Sequence, residues 1–117
     1  MIYPQEIEVW YILPLIRKEL AKELLHYNLN QKEIALKLGL TEAAVSYYIN
    51  KKRANELILD EKVKKAVQES AKRIKNNFNV MKEIQNITKL FWETRGICKI
   101  HMQHDKSIQK SCALCFE

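Results

Sequence analysis

The stretch 30–53, NQKEIALKLGLTEAAVSYYINKKR, constrains the fold of this 117-residue chain more than any other. Asn30 is a favoured helix N-cap, and Glu33 three residues later completes a capping box. Apolar residues at helical spacing follow, and Gly39 then supplies the left-handed residue with which many helices end. Thr41 is a suitable N-cap for a second helix. The pattern therefore predicts two short helices joined by a three-residue turn.

The second of these helices has a buried side and an exposed side. Val45 and Ile49, four residues apart, form its buried stripe. In a DNA-reading pair the second helix fits the major groove, helix N-termini direct amide groups at phosphates, and cations that follow suit the flanking backbone. The predicted interface with double-stranded DNA consists of Gln31, Thr41, Glu42, Ala43, Ser46, Tyr47, Asn50, Lys51, Lys52 and Arg53.

Two capped helices followed by a solvated basic run also occur in small helical domains that have no DNA-binding role. This segment, however, resembles the helix-turn-helix of the phage-repressor-like (XRE) regulators, whose usual form is Q-x-E-I-A-x-x-L-G, a short turn and then V-S. The matching residues are Gln31, Glu33, Ile34, Ala35, Leu38, Gly39, Val45 and Ser46. The resemblance implies a sequence-specific transcriptional regulator of the repressor-like type.

The composition is that of an all-helical protein, because only two glycines and two prolines occur in the chain. The net charge of +6 favours a polyanionic partner, although charge alone does not identify it. The apolar run 9–16 is too short to span a bilayer, and Glu6 and Glu8 precede it where a signal peptide carries positive charge. We therefore expect a cytoplasmic protein with reduced cysteines.

Further helices are predicted on both sides of the pair. Residues 5–27 form an apolar helical region in which Pro14 either starts a new helix or kinks one. Another helix begins near residue 57 or 60 and ends at residue 75. The sequence NNFN at 76–79 is a break whose last asparagine caps a final helix, and Gly96 ends that helix.

The helix before this break has a narrow apolar stripe through Val63, Val67, Ser70 and Ile74 that resembles a heptad seam. One interpretation is that the stripe packs on the N-terminal helices of the same chain. The other is that it holds a homodimer. Two points favour the homodimer. The stripe looks too extended for one chain to cover, and helix-turn-helix proteins usually place two DNA-binding units about one turn of DNA apart.

All three cysteines lie between residues 98 and 115, where Cys98 pairs with His101 and Cys112 with Cys115, each pair with two residues between its members. Such spacing lets both side chains of a pair reach one ion, and the ten residues between the pairs form a loop. The Cys3His set is one that tetrahedral zinc takes in closed structural sites. His104 is a possible substitute for the histidine, and a tail with incidental thiols is the alternative. The predicted metal ligands are Cys98, His101, Cys112 and Cys115.

Thiolate-rich sites also hold iron–sulfur clusters, in which histidine replaces cysteine at some irons. The whole chain resembles archaeal XRE-type regulators that join a helical segment opening near P-x-E, a helix-turn-helix, a helical spacer and a C-terminal Cys/His cluster. In those regulators C-x-x-C comes first and C-x-x-H second, whereas this chain has the reverse order. The resemblance implies a redox-responsive cluster, but the presence of only three cysteines favours zinc. The matching residues outside the helix-turn-helix are Pro4, Glu6, Ile97, Cys98, His101, Cys112 and Cys115.

No catalytic motif stands out: the chain has no Gly-rich phosphate loop, no His-Glu-x-x-His and no Gly-x-Ser-x-Gly, so we do not expect an enzyme. The alternative to a regulator is an adaptor whose cysteine module docks another protein while its basic helices contact nucleic acid without reading sequence. Small Ala43 and Ser46 and the acceptor Glu42 suit groove insertion, whereas long cations at these positions would have favoured the adaptor.

The predicted fold is all-α: a helix-turn-helix DNA-binding bundle with a long helical extension and a small metal-binding tail. We divide it into an N-terminal DNA-binding domain (1–55), a helical spacer or dimerisation region (56–95) and the Cys/His tail (96–117).

Overall fold

The computed structural model describes residues 3–50, 60–98 and 100, and within these ranges every regular element is helical. The all-α prediction is confirmed for this part of the chain. The elements, in order, are α1 (Pro4–Ile7), a π-helical turn (Glu8–Ile12), α2 (Leu13–His26), α3 (Gln31–Leu38), α4 (Glu42–Asn50), α5 (Glu61–Lys75) and α6 (Val80–Glu93).

Pro14 lies at the second residue of α2, directly after the π-helical turn. The Leu13 N–H donates to the Glu8 carbonyl five residues earlier, which widens the turn before the proline. Proline has no N–H to donate, and its ring clashes with the carbonyl four residues before it in a regular helix. A single wide turn relieves this conflict. The new helix predicted to start at Pro14 begins one residue earlier, at Leu13.

Helices α2, α3 and α5 end with the same left-handed motif. Asn28, Gly39 and Asn77 have φ angles of 66°, 67° and 68° and follow α2, α3 and α5. In each case the N–H of the next residue donates to the carbonyl five residues earlier, which satisfies a carbonyl that would otherwise be free. The three bonds are Leu29 N–H to Leu24 O (3.4 Å), Leu40 N–H to Ala35 O (2.9 Å) and Phe78 N–H to Arg73 O (3.0 Å).

The end of α6 differs from the prediction. The helix stops at Glu93, and the left-handed residue after it is Arg95, with a φ of 60°, rather than Gly96. The glycine is needed for a different reason: a Cβ at Gly96 would lie 2.9 Å from Cδ1 of Phe91. Gly96 therefore lets the chain turn closely over the Phe91 ring before the buried residues Ile97 and Cys98.

Helix α2 lies at the centre of the core. Helix α5 packs against α2, and so do α3 and α4, which precede residues 51–59 in the sequence. Helix α6 packs against α5. One cluster of buried apolar side chains thus joins helices from both sides of residues 51–59. Its largest fully buried members are Ile7, Ile12, Ile16, Leu20, Leu24, Ile34, Val45, Val63, Ile74, Ile87 and Ile97.

The apolar stripe of α5 is covered within one chain. Val63, Val67, Ser70 and Ile74 are each no more than 3% exposed. The expectation that the stripe is too extended for one chain to cover is therefore wrong. Helices α2 and α6 both pack on α5, and together they supply the apolar surface that the stripe needs.

A polar cluster lies between α5 and α6. The carboxylate of Glu83 accepts hydrogen bonds from Ser70 Oγ (2.8 Å), Arg73 Nε (2.6 Å) and Arg73 Nη2 (3.0 Å). Both Glu83 and Ser70 are buried. The hydrogen bond from Arg73, followed by that from Ser70, lowers the pKa of Glu83 against the opposing effect of burial.

Candidate nucleic-acid interface

The start of α3 is fixed by the predicted capping box. The Glu33 N–H donates to Asn30 Oδ1 at 2.8 Å, and the Asn30 N–H donates to Glu33 Oε1 at 3.3 Å. These reciprocal bonds satisfy two donors at the helix end and hold the first turn in place. Gln31, the first residue of α3, is exposed beside them. Its side chain is therefore accessible to solvent at this N-terminus.

The turn between α3 and α4 consists of three residues, as expected. Gly39 adopts the left-handed conformation, and nothing lies within 4 Å of the position that its Cβ would occupy. The glycine is thus required by the backbone conformation and not by crowding. Leu40 packs against the core, and Thr41 Oγ1 accepts a hydrogen bond from the Ala44 N–H at 3.1 Å. This cap sets the point at which α4 begins.

Helix α4 has the two sides that the sequence predicts. Val45 is completely buried, and Ile49 packs against the core from a partly buried position. On the other side of the helix the structure brings together five of the predicted DNA-binding residues. Four of them are exposed and the serine is half-buried; they are Glu42, Ala43, Ser46, Tyr47 and Asn50.

Two contacts order the side chains on this surface. The Tyr47 ring is 56% exposed and meets the ring of Tyr48 edge to face, with centroids 5.8 Å apart and planes at 65°. Asn50 Nδ2 donates to Ser46 Oγ at 3.2 Å, one helical turn earlier. Sequence reasoning did not single out Tyr48, although two adjacent aromatic residues on a short helix were a usable signal. Tyr48 supports the exposed ring of Tyr47.

The exposed surface of α4 is small and nearly uncharged. Glu42 is the one charged residue of this helix, and none of its residues is basic. Hydroxyl, amide and carboxylate groups next to Ala43 offer hydrogen-bond donors and acceptors without bulk, the chemistry with which protein side chains contact base edges. The three predicted backbone contacts, Lys51, Lys52 and Arg53, lie outside the described residues.

Of the predicted metal ligands, the structure describes Cys98. This cysteine is buried in the same apolar cluster as Ile97 and Ile100. His101, Cys112 and Cys115, with the possible substitute His104, lie outside the described residues, so the metal site stays a prediction. Among the residues that are described, no group of three His, Cys, Asp or Glu side chains is placed to hold a metal ion.

Comparison of the chain with protein-family models, with curated proteins and with solved structures found no match. Within the described ranges, no helix has both the length and the apolar character needed to cross a membrane.

Proposed function

We propose that this protein is a sequence-specific DNA-binding regulator of the repressor-like helix-turn-helix type. The observation that carries the proposal is the α3–turn–α4 unit, in which two capped helices hold a compact, exposed and nearly uncharged surface on α4. The buried residues Ile34 and Val45 fix this unit to α2, so that the surface is rigid. Rigid presentation matters because base contacts require side chains held within hydrogen-bond distance of fixed groove atoms.

In this proposal the residues divide by role. The N-terminal residues Gln31 and Thr41 contact phosphates, where free amides and the helix dipole favour anions. The basic residues 51–53 contact the flanking backbone and contribute affinity without sequence preference. The residues that contact base edges are Glu42, Ala43, Ser46, Tyr47 and Asn50.

The character of α4 favours sequence reading over the adaptor alternative. A helix that binds nucleic acid only through charge presents lysines and arginines to the phosphates. The exposed surface of α4 contains none, and its carboxylate at Glu42 repels phosphate but accepts a hydrogen bond from a cytosine amino group. Glu42 therefore favours binding only at sites where its carboxylate accepts a hydrogen bond from a particular base.

A metal centre in the C-terminal tail and a two-fold dimer complete the proposal. Cys98 is held by the core through Ile97 and Ile100, which gives a metal site formed with His101, Cys112 and Cys115 a fixed starting point. Structural zinc is the preferred metal, with an iron–sulfur cluster as the alternative.

A dimer doubles the length of DNA that is read, and its contact surface lies outside the buried stripe of α5.

Selection of bound DNA from random duplexes, using the full chain, tests the function. We expect one enriched motif whose bases change in Tyr47→Ala. Tyr3→Ala is the matched control, because Tyr3 is an equally exposed tyrosine on a different element and should leave the motif unchanged. The absence of any enriched motif, or the same motif from Tyr47→Ala at the same affinity, would reject sequence reading and favour the adaptor.

A further inference from the structure

Phe78, in the turn between α5 and α6, is exposed at a position where an apolar residue is usually covered. It directly follows the left-handed residue Asn77, and in this type of helix ending the residue at that place commonly packs against the last turn. The same position is filled by Leu29 after α2 and by Leu40 after α3. Leu29 is buried and Leu40 packs against the core, whereas Phe78 is 57% exposed.

The two positions against which the Phe78 ring would normally pack are occupied by charged residues. Packing on α5 would require an apolar residue at Arg73, and a hydrophobic staple on α6 would require one at Glu83. These two residues instead bind each other across the turn. The ion pair therefore occupies both positions against which the ring would pack. Because the ring has no apolar partner on α5 or α6, packing within the turn does not explain why an aromatic residue stands at position 78.

The surroundings of Phe78 are apolar and cationic. Met81, one helical turn further on, is 71% exposed. Lys37 Nζ donates to Asn77 Oδ1 at 2.8 Å, which brings the end of α3 to this turn, and Lys82 is exposed in the first turn of α6. The stretch 72–82 contains no aspartate or glutamate. We call Lys37, Lys75, Phe78, Met81 and Lys82 the turn patch.

Two of these lysines are held in place. Lys37 is fixed by its hydrogen bond to Asn77, and the Lys75 ammonium lies 4.8 Å from the centroid of the Tyr27 ring. A held cation loses less side-chain entropy on binding an anion than a freely moving one. The N-terminus of α6 adds the positive end of a helix dipole at the same place.

We propose that the turn patch binds an acidic peptide segment of a partner protein that carries apolar anchor residues. The ring of Phe78 and the thioether of Met81 contact the anchors, and the lysines pair with flanking carboxylates. Methionine suits this role because its flexible, polarisable side chain adapts to different apolar partners. The proposal rests on the turn alone and does not depend on DNA reading by α4.

Other polyanions fit less well. An interfacial membrane helix presents a long apolar side along one helix, whereas the apolar residues here come from a tight turn and the first turn of α6. Single-stranded nucleic acids bind to several stacked aromatic rings, and Phe78 is one ring beside a methionine. A peptide with both carboxylates and apolar side chains satisfies both parts of the patch.

Selection from a displayed library of random peptides, with the full chain as the target, tests the proposal. We expect enriched sequences rich in Asp and Glu around Leu, Phe or other apolar residues. A synthetic copy of an enriched peptide should shift amide resonances at residues 77–82 and near Lys37. Phe78→Ser should weaken its affinity at least about tenfold, as truncation of an anchor does, with no loss of thermal stability because the ring is exposed.

Two matched variants separate the patch from general effects. Val9→Ser removes an equally exposed apolar residue from the π-helical turn, and Lys62→Glu reverses a charge at the other end of α5; both should leave the affinity unchanged. Lys82→Glu should weaken it. The proposal is overturned if no acidic peptide is enriched or if binding is the same in Phe78→Ser. It is equally overturned if Phe78 is needed instead for self-association, for binding to phosphatidylglycerol vesicles or for binding to a single-stranded oligonucleotide.

Discussion

Arg73 donates to both carboxylate oxygens of Glu83 across the turn between α5 and α6, from Nε at 2.6 Å and from Nη2 at 3.0 Å. Ser70 Oγ donates a third hydrogen bond at 2.8 Å to a carboxylate that is 6% exposed. Burial of a carboxylate is costly, and this geometry offsets the cost with charge-assisted bonds in a fork arrangement. The cluster joins α6 to α5, and two predictions follow from it.

Removal of the carboxylate should destabilise the fold. Glu83→Ala leaves the Ser70 hydroxyl buried without an acceptor, while the partly exposed Arg73 can turn to water. We expect the free energy of unfolding to fall by about 1–3 kcal/mol, measured by urea denaturation. The matched control is Glu93→Ala, which removes an exposed glutamate from the same helix. Equal losses in the two variants would contradict a stabilising role for the cluster.

The cluster should also make stability depend on pH. The pKa of Glu83 is lowered in the folded chain, chiefly by the hydrogen bond from Arg73. A depressed carboxyl pKa contributes stability above the unfolded pKa of about 4.3, and this contribution is lost as the pH falls through the lower folded pKa. Urea denaturation at a series of pH values should show the decline below about pH 4.3 in the wild-type chain. Glu83→Gln should show a shallower decline, and an unchanged one would refute the assignment.

Val67→Glu should unfold the chain. Val67 is buried between α5 and its neighbouring helices, so the substitution places a charge in the core, which costs at least about 3 kcal/mol. Circular dichroism should show loss of the cooperative thermal transition. Gln68→Glu, at the exposed neighbouring position, should melt like the wild type. A folded Val67→Glu monomer, derived from a wild-type dimer, would instead mean that the stripe is an interface.

The two classes of DNA contact should respond differently to substitution. Glu42→Gln should change base preference at one position, at about 1–3 kcal/mol, because one base contact is altered. Lys52→Ala should weaken binding to all sequences and reduce the dependence of affinity on salt by about one released counterion. Competition binding at several salt concentrations measures both quantities. Identical behaviour of the two variants would argue against a division between base and backbone contacts.

The tail should carry one metal centre. Thiolate coordination supplies folding free energy to a segment with few apolar side chains, so the metal orders it. Protein purified without oxygen should be colourless and contain about one zinc per chain, and Cys112→Ser should lower that content. Brown protein with matching iron and sulfide would establish a cluster instead. Unchanged metal content in Cys112→Ser would remove the proposed site.

Local features were predictable from the sequence because their causes lie within one or two helical turns. The capping box of Asn30 and Glu33, the left-handed Gly39 and the Thr41 cap all depend on residues at most five apart. The Asn79 cap of α6 belongs to the same class, since its Oδ1 accepts from the Met81 and Lys82 N–H groups. The exposed surface of α4 followed from the period of its buried residues. The local geometry of the α3–turn–α4 unit was therefore predictable from the sequence.

Tertiary structure decided which helix surfaces are covered and which side chains pair between helices, because these contacts join residues that are distant in sequence. Coverage of the α5 stripe depends on how α2 and α6 cross it, and a periodic pattern on one helix does not say which surface packs on it. The Arg73–Glu83 pair depends on the angle at which α6 returns after Asn77, and the exposure of Phe78 depends on that pair. Amino-acid sequence by itself determined where the caps start helices α3 and α6, where Gly39 ends α3 and which sides of the helices are apolar. The packing of those sides determined how α6 ends over Phe91 and what remained exposed.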